Sequence, residues 1–354
     1  MERARREFLD DLLRTASPSG FEAPSQRIWT EYVSEFADQV WTDEYGNAVA
    51  VHEGDPDTDL SVALAGHGDE IGFMVRDIED DGSLRLTRIG GSDNTVSQGQ
   101  HVVVHTDDGP VDGVIGQTAI HLRDRSDDSQ TDISEQHVDI GAEDDEEAAE
   151  LVERGDPITF DQTISELEGQ RIAARGLDNR IGIWAAAEGL RRAAESDPEA
   201  TVVAVSTVQE EVGLQGAKMV GFDLAPDVAI ATDVTHATDA TGTPGDRSSG
   251  VELGEGPVVA RGSTNHPRVV AAARAAADSE EIDIQLQAAG SQTGTDADAF
   301  FTSRGGIPSL NVGVPNRYMH TPVEMLDLRD LDTTADLLSA IALDAHNREF
   351  SVSI

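Results

Sequence analysis

The chain has 354 residues, of which 68 are acidic and 25 basic, giving a formal net charge of −43. This charge excludes nucleic-acid binding through a basic face, and no apolar run reaches the ~18 residues that a membrane-spanning helix needs. Cysteine is absent, which excludes disulfides and thiolate metal sites.

Before residue 70 the pattern is that of an α/β protein. The sequence predicts two amphipathic helices followed by two strands, at residues 1–17, 27–37, 47–53 and 60–66. The last of these strands is almost entirely apolar, which predicts a buried place in a sheet.

Between about residues 70 and 160 the pattern changes to short alternating segments separated by Gly and Asp turns. Strands are predicted at residues 83–89, 101–106, 109–116 and 137–142. A helix is predicted over residues 144–155, and the acidic, turn-rich stretch 123–136 is predicted to be a mobile loop. This region is therefore expected to be a β domain inserted into the α/β domain.

From residue 170 onward strands and helices alternate again. Helices are predicted at residues 181–196, 266–280 and 328–350, and strands at residues 201–208, 227–234 and 307–314. The simplest architecture is a single α/β domain split by the inserted β domain.

Metal-binding residue types follow the core strands of this α/β domain. They are His67, Asp69, Glu70, Asp178, Glu210, Glu211, Asp233 and His320. The carboxyl ends of strands in an open α/β sheet meet at one edge, so we expect these side chains to lie together. Two histidines and several carboxylates without cysteine suit a hydrolytic Zn²⁺ or Co²⁺ site.

Each of these residues also has an ordinary explanation. Asp178 could cap a helix, and the adjacent Glu210 and Glu211 could be two solvated acids among 68. Unpaired charges at buried strand ends need partners, however, and divalent cations would supply them. Because side chains at neighbouring strand positions diverge, Glu210 and Glu211 are expected to point in different directions and to have different roles.

Six motifs carry a resemblance to a known family. They are "GHGDEIGFMV" (66–75), "GLDNRIG" (176–182), "TVQEEVGLQGA" (207–217), "ATDVTHATDATG" (231–242), "GTDADAF" (294–300) and "RYMHTPVEMLDLRDL" (317–331). In these motifs and their order the chain resembles the TET-type dinuclear metalloaminopeptidases of metallopeptidase family 42, some of which carry glutamyl aminopeptidase or endoglucanase labels. The resemblance extends from about residue 17 to about residue 340.

The resemblance implies two divalent metal ions per subunit, Zn²⁺ or Co²⁺. Asp178 would bridge them, with His67 and Asp233 completing the ligands of one ion and Glu211 and His320 those of the other.

The resemblance also implies an activity, the hydrolysis of N-terminal residues from peptides by a metal-activated water. Glu210 would be the general base, and Asp69 would orient His67. The alternative enzyme is another dinuclear amide hydrolase, a deacylase or a carboxypeptidase. A non-catalytic assembly protein is a third alternative, but it predicts the loss of a ligand or of the base, and all seven positions are filled.

For the architecture, the resemblance implies a phosphorylase/hydrolase-like catalytic domain with a mixed sheet flanked by helices, over residues 1–68 and 162–354. A PDZ-like β domain over residues 69–161 would serve dimerisation, and dimers would assemble into a tetrahedral dodecamer. The acid excess with a single lysine, Lys218, is typical of cytoplasmic proteins of extreme halophiles, because molar salt screens repulsion between carboxylates.

Overall fold

The computed structural model describes residues 1–123 and 130–352. In that part of the chain the strands are β1 (Gln39–Thr42), β2 (Ala48–His52), β3 (Ser61–His67), β4 (Gly72–Ile78), β5 (Leu84–Ile89), β6 (His101–Thr106), β7 (Gly109–Ile115), β8 (His137–Asp139), β9 (Pro157–Phe160), β10 (Ser165–Leu167), β11 (Arg171–Ala174), β12 (Thr201–Thr207), β13 (Val228–His236), β14 (Val258–Arg261), β15 (Gln285–Ala288), β16 (Ser309–Asn316) and β17 (Glu324–Asp327). The α-helices are α1 (Arg3–Arg14), α2 (Ala23–Val33), α3 (Asn94–Ser97), α4 (Asp145–Ala149), α5 (Leu177–Ala194), α6 (Gln215–Leu224), α7 (Pro267–Ser279), α8 (Ala297–Phe300) and α9 (Leu328–Asp344).

An eight-stranded mixed sheet forms the centre of the larger unit, with the strand order β1-β2-β12-β3-β13-β16-β14-β15. Strands β12, β3, β13 and β16 are mutually parallel neighbours, whereas β2 and β14 run antiparallel to them. The four parallel strands are buried along almost their whole length because helices cover the sheet, which explains their nearly continuous apolar sequences. The predicted mixed α/β sheet flanked by helices is confirmed.

A single helix forms most of the packing on one face of this sheet. Helix α5 is buried along almost its entire length, and its small and aromatic side chains belong to the same apolar core as strand β3 and helix α9. Trp184 lies at 0% exposure within that core. The first turn of α5 is therefore held firmly against the carboxyl end of the sheet.

The segment between β3 and β10 forms a closed barrel of six strands in the order β4-β5-β8-β7-β6-β9. The barrel encloses an apolar core of its own, which includes Phe73, Leu86, Val104 and Ile158. A third, three-stranded sheet, β10-β11-β17, lies beside the first turn of α5 and carries the last strand before α9.

Several elements differ from the sequence prediction. Helix α4 ends at Ala149 rather than near residue 155, because Val152 turns into the barrel core while Leu151 is exposed. Strand β4 had no predicted counterpart. Of the predicted loop 123–136, residues 124–129 lie outside the described residues, and Ile133–Glu135 form a 3₁₀ turn. Within the described ranges no helix combines the length and the apolar character required to cross a bilayer.

Candidate metal centre

All seven residues implied by the resemblance lie at one edge of the large sheet. His67 ends β3, Asp69 follows it, and Asp178 is the second residue of α5. Glu210 and Glu211 follow β12, Asp233 lies within β13, and His320 lies in the turn between β16 and β17. Parallel strands bring their carboxyl ends to the same edge, and this brings together residues more than 200 positions apart.

Asp178 lies between the two histidines. Its Oδ1 is 3.2 Å from His67 Nε2, and its Oδ2 is 3.3 Å from His320 Nε2. The first two residues of α5 after Leu177 are not helical, and the Asp178–Asn179 peptide is cis. The distances to the two histidines place the carboxylate at the sheet edge, and α5 has no side-chain cap.

The remaining carboxylates surround this pair. Asp233 Oδ1 and Glu210 Oε2 lie 3.7 and 3.8 Å from His67 Nε2, and Glu211 Oε1 lies 3.6 Å from His320 Nε2. The donor atoms form two groups in which all distances are within 4.8 Å, one of His67, Asp178 and Glu211 and the other of His67, Glu210 and Asp233. Both glutamates therefore lie within reach of a cation, and side-chain distance alone does not separate their roles.

Negative charge is concentrated in this site. Burial raises the pKa of Glu210, Glu211 and Asp233, and the neighbouring carboxylates add to the shift of each. Burial also opposes a charge on His67, but Glu210 and Asp233 outweigh it and raise the pKa of the imidazole. Burial alone would raise the pKa of Asp178, but the hydrogen bonds and charges of His320 and His67 hold it below the usual range. A divalent cation bound here would favour the ionised form of each carboxylate.

Asp69 contacts more of the site than its predicted role requires. Its Oδ1 lies 3.3 Å from His67 Nδ1 and accepts the Glu210 backbone N–H at 2.9 Å. Its Oδ2 accepts the Ser19 hydroxyl at 2.6 Å and the Glu211 backbone N–H at 3.2 Å. These bonds keep His67 Nε2 facing the carboxylates, and they also fix the peptide that carries both glutamates.

The expectation that Glu210 and Glu211 occupy neighbouring positions of a strand is wrong. Strand β12 ends at Thr207, and the pair lies in a tight turn. Gln209 and Leu214 have left-handed φ values of 55° and 59°, and Leu214 N–H donates to Glu210 O at 2.8 Å. The directions of the two side chains are therefore set by the turn, not by strand alternation.

Two buried acids of the site were not singled out by the sequence. Glu324 accepts the backbone N–H groups of Asp178 and His320, and Asp296 accepts the Thr207 hydroxyl at 2.5 Å. Burial raises the pKa of Glu324 to about 8 and that of Asp296 to about 7. Both lie within the quoted motifs "RYMHTPVEMLDLRDL" and "GTDADAF", so motif membership was the signal available for them.

A cavity of about 430 Å³ opens beside these residues. Its far wall is formed by β13, β14, β15 and the segment that follows β15, and includes Thr235, Ala260, Gln287 and Thr293. The Thr235 hydroxyl donates to Gln287 Oε1 at 2.9 Å, which fixes that amide at the wall. The cavity has room for a substrate side chain next to the two histidines.

The sequence model of the M42 glutamyl aminopeptidase family matches residues 46–337. The chain belongs to the M42 peptidase family. It is 34% identical over 350 residues to the lysyl aminopeptidase of Pyrococcus furiosus, covering 98% of this chain and 99% of that protein. It is 30% identical over 336 residues to the glutamyl aminopeptidase of Lactococcus lactis, with 93% of each chain covered.

Solved structures agree with this M42 assignment. The TET aminopeptidase of a marine sediment Thaumarchaeota archaeon superposes with a TM-score of 0.90 at 31% identity, covering 96% of each chain. The Pyrococcus horikoshii TET1 peptidase superposes with a TM-score of 0.84 at 33% identity, covering 96% of this chain and 99% of that one. This M42 chain is accordingly a peptidase of the aminopeptidase class.

Proposed function

We propose that the chain is a metal-dependent aminopeptidase that removes N-terminal residues from peptides. The observation that carries the proposal is the position of the Asp178 carboxylate. Its two oxygens each face a histidine, His67 at 3.2 Å and His320 at 3.3 Å. A carboxylate between two nitrogen donors has the arrangement expected of a bridging ligand in a two-metal hydrolytic site.

The donor set fits divalent cations. Glu211 Oε1 is buried without a hydrogen-bond partner among the described residues, and an orphaned buried carboxylate oxygen is costly unless a cation compensates it. We propose that His67, Asp178 and Asp233 hold one cation, and that Asp178, Glu211 and His320 hold the other. Zn²⁺ and Co²⁺ both suit histidine and carboxylate donors.

Glu210 is the proposed general base. When bound, the cations supply Lewis acidity to the attacking water and to the scissile carbonyl. The Glu210 carboxylate faces the same cleft, 3.8 Å from His67 Nε2, without being one of the proposed ligands. It takes a proton from the attacking water and returns it to the leaving amine, a role worth about 10²–10⁴-fold in rate. Asp69 orients His67 through Nδ1.

A pair of substitutions separates the two glutamates. Glu210→Gln should leave the metal content intact and lower peptide hydrolysis by about 10²–10⁴-fold. Glu211→Gln should instead lower the metal content, because it removes a charged donor oxygen. Elemental analysis together with turnover of a fluorogenic aminoacyl substrate distinguishes these outcomes. Retained turnover by Glu210→Gln would mean that another group is the base.

The alternative enzyme is a deacylase or a carboxypeptidase built on a similar site. Substrates with a free and with a blocked N-terminus distinguish it from an aminopeptidase. An aminopeptidase requires a free α-amine, so an N-acetylated form of the same fluorogenic substrate should not be turned over. Equal rates on both forms would reject the aminopeptidase proposal while leaving the metal site standing.

We also propose that residues 69–161 form a PDZ-like domain through which two copies associate, with dimers assembling into a tetrahedral dodecamer. Exposed apolar side chains near the barrel support a contact surface there, among them Val114, Leu122 and Leu151. The Pyrococcus horikoshii TET1 peptidase can assemble into a tetrahedron or a large octahedral shell. Light scattering on the purified protein in molar salt would give the particle mass, and a monomer would reject this part.

Finally, we propose a cytoplasmic location in an extreme halophile. The support is the net charge of −43 combined with a single lysine. Carboxylates at this density are tolerated where molar salt screens their repulsion.

A further inference from the structure

Glu324 connects two of the proposed metal ligands through their backbones. It is 2% exposed, and each of its carboxyl oxygens faces a backbone N–H group. Its Oε2 accepts the Asp178 backbone N–H at 3.0 Å, and its Oε1 accepts the His320 backbone N–H at 2.9 Å. One carboxylate therefore holds two residues that are 142 positions apart in the sequence.

The position of Glu324 in the fold makes this connection rigid. It is the first residue of β17 and pairs with Ala174 of β11, four residues before Asp178. Arg317 and Met325 exchange two backbone hydrogen bonds of 2.9 Å, which close the turn that carries His320. Glu324 thus lies where this closed turn meets the strand that leads into α5.

The turn needs such a restraint because its backbone is strained. Tyr318 and His320 have left-handed φ values of 64° and 62°, a region that is unfavourable for residues with a Cβ atom. The Thr321 hydroxyl donates to Tyr318 O at 2.6 Å, but the His320 N–H is held by Glu324. Without that acceptor the His320 peptide would be free to leave the conformation that directs its imidazole at Asp178.

We propose that Glu324 is a positioning residue that sets the distance between Asp178 and His320. The affinity for the cation that Asp178, Glu211 and His320 are proposed to hold then depends on Glu324. The inference rests on the proposed metal site. It does not make Glu324 a ligand: the residue acts through the two peptides that it binds. Groups that orient metal ligands in this way typically change metal affinity by about 10–100-fold when they are replaced.

A buried carboxylate that accepts two backbone N–H groups can also serve stability alone, and the chain contains such a case. Asp330 is 1% exposed and accepts the N–H groups of Gly254 and Gly256 at 2.7 and 2.9 Å. Because it matches Glu324 in burial and in bonding but lies in helix α9, Asp330→Asn is the control for a purely structural effect.

The experiment compares Glu324→Gln with Asp330→Asn in the full chain, using Co²⁺ and Zn²⁺ in competition with a chromophoric chelator. The glutamine amide presents an NH₂ group to one of the two N–H donors, so one hydrogen bond is lost. We expect Glu324→Gln to weaken metal binding by about 10–100-fold. At a saturating metal concentration, the variant should recover much of the turnover that it lacks at limiting metal. We expect Asp330→Asn to change metal affinity less than about twofold while lowering the thermal midpoint of the metal-free protein. The absorption spectrum of the Co²⁺ form should change in the first variant only.

The outcomes are distinct. Unchanged metal affinity in Glu324→Gln, or an equal loss in both variants, would overturn the positioning role. If Glu324→Gln does not fold, metal affinity is measured for Glu324→Asp instead. The same loss of affinity is expected, since the shorter side chain reaches only one of the two N–H groups. A wild-type chain that binds neither ion would instead reject the metal site itself and, with it, this inference.

Discussion

The Asp69 carboxylate links His67 to the turn that carries the glutamates. It lies against His67 Nδ1, and it accepts the backbone N–H groups of both Glu210 and Glu211. Burial opposes its charge, but His67, Ser19 and the Glu210 N–H hold the pKa of Asp69 below its usual range. The residue is therefore ionised at neutral pH, and each of its contacts is to a donor.

Asp69→Asn should disturb His67 and the glutamate turn together. The amide introduces two donors where the carboxylate faced only donors, so we expect metal affinity to fall by about 10–100-fold and turnover to fall with it. Ser19→Ala removes only the hydroxyl that donates to Asp69 Oδ2 at 2.6 Å, and should have a much smaller effect. Chelator competition measures both variants. Wild-type metal affinity in Asp69→Asn would contradict the orienting role.

The neighbouring Glu70 lies in a buried ion cluster with two arginines. It accepts Arg175 Nη1 at 2.6 and 2.5 Å, Arg180 Nη2 at 2.8 Å and the Ser17 N–H at 3.0 Å. Burial would raise the pKa of Glu70, but the two guanidinium groups outweigh it and lower the pKa. A carboxyl group with a lowered pKa in the folded state contributes stability above its unfolded pKa of about 4.3 and loses it as the pH falls through the folded value.

Glu70→Gln should therefore cost stability at neutral pH and flatten its acid dependence. Leaving Arg175 and Arg180 buried without their anion costs about 3–5 kcal/mol, which should appear as a lower free energy of unfolding at pH 7. As the pH falls below about 4.3, the wild type should lose stability more steeply than the variant. Denaturant titrations of the metal-free proteins in molar salt measure both. Parallel pH profiles would show that Glu70 does not titrate as described.

At the scale of elements, the barrel reaches the candidate metal centre. After β5 the chain passes through Gly90 and Gly91. A Cβ atom at Gly91 would lie 2.8 Å from His320 Nδ1, and one at Gly90 would lie 3.2 Å from Glu211 Cβ. This turn of the barrel packs against both residues proposed to complete the second cation site. The barrel thus limits the positions open to those side chains.

Gly91→Ala tests that contact. The φ of Gly91 lies outside the left-handed region, so alanine can adopt this backbone conformation. The added methyl group clashes only with the His320 ring. The His320 ring must move to admit it, and we expect weaker binding of one of the two cations with little change in the thermal midpoint of the metal-free protein. Gly245→Ala, at a site with open space around the Cβ, is the control. Equal binding isotherms in the two variants would contradict the proposed contact.

Some features of the site follow from the composition of a single strand and could be predicted from the sequence, whereas others depend on backbone conformation or on contacts between distant segments. Strands β3, β12, β13 and β16 have nearly continuous apolar sequences, so their buried places and the gathering of polar residues at their ends could be predicted. The turn at Glu210 depends on positive φ values at Gln209 and Leu214, which those residue types do not favour. The role of Glu324 depends on β17 pairing with β11, a contact between segments about 150 residues apart.

At the scale of the whole molecule, five arginines neutralise two buried acids. Arg175 and Arg180 pair with the buried Glu70, and Arg5, Arg191 and Arg192 pair with Glu188, whose side chain is 0% exposed. Most of the acidic side chains in the described part of the chain are exposed or half-buried. The excess of 68 acidic over 25 basic residues therefore lies mainly at the surface.

Lowering the salt concentration should therefore destabilise the protein. The Debye length grows from about 3 Å at 1 M salt to about 10 Å at 0.1 M, so each surface carboxylate then repels many more of its neighbours. We expect the thermal midpoint, the turnover and the particle mass to fall as KCl is reduced from 3 M, with free Zn²⁺ held constant so that loss of the metal does not imitate the effect. Thermal melts, a fluorogenic assay and light scattering across the series measure the three quantities. Full activity and an unchanged midpoint after prolonged dialysis without salt would contradict the halophilic origin of the charge.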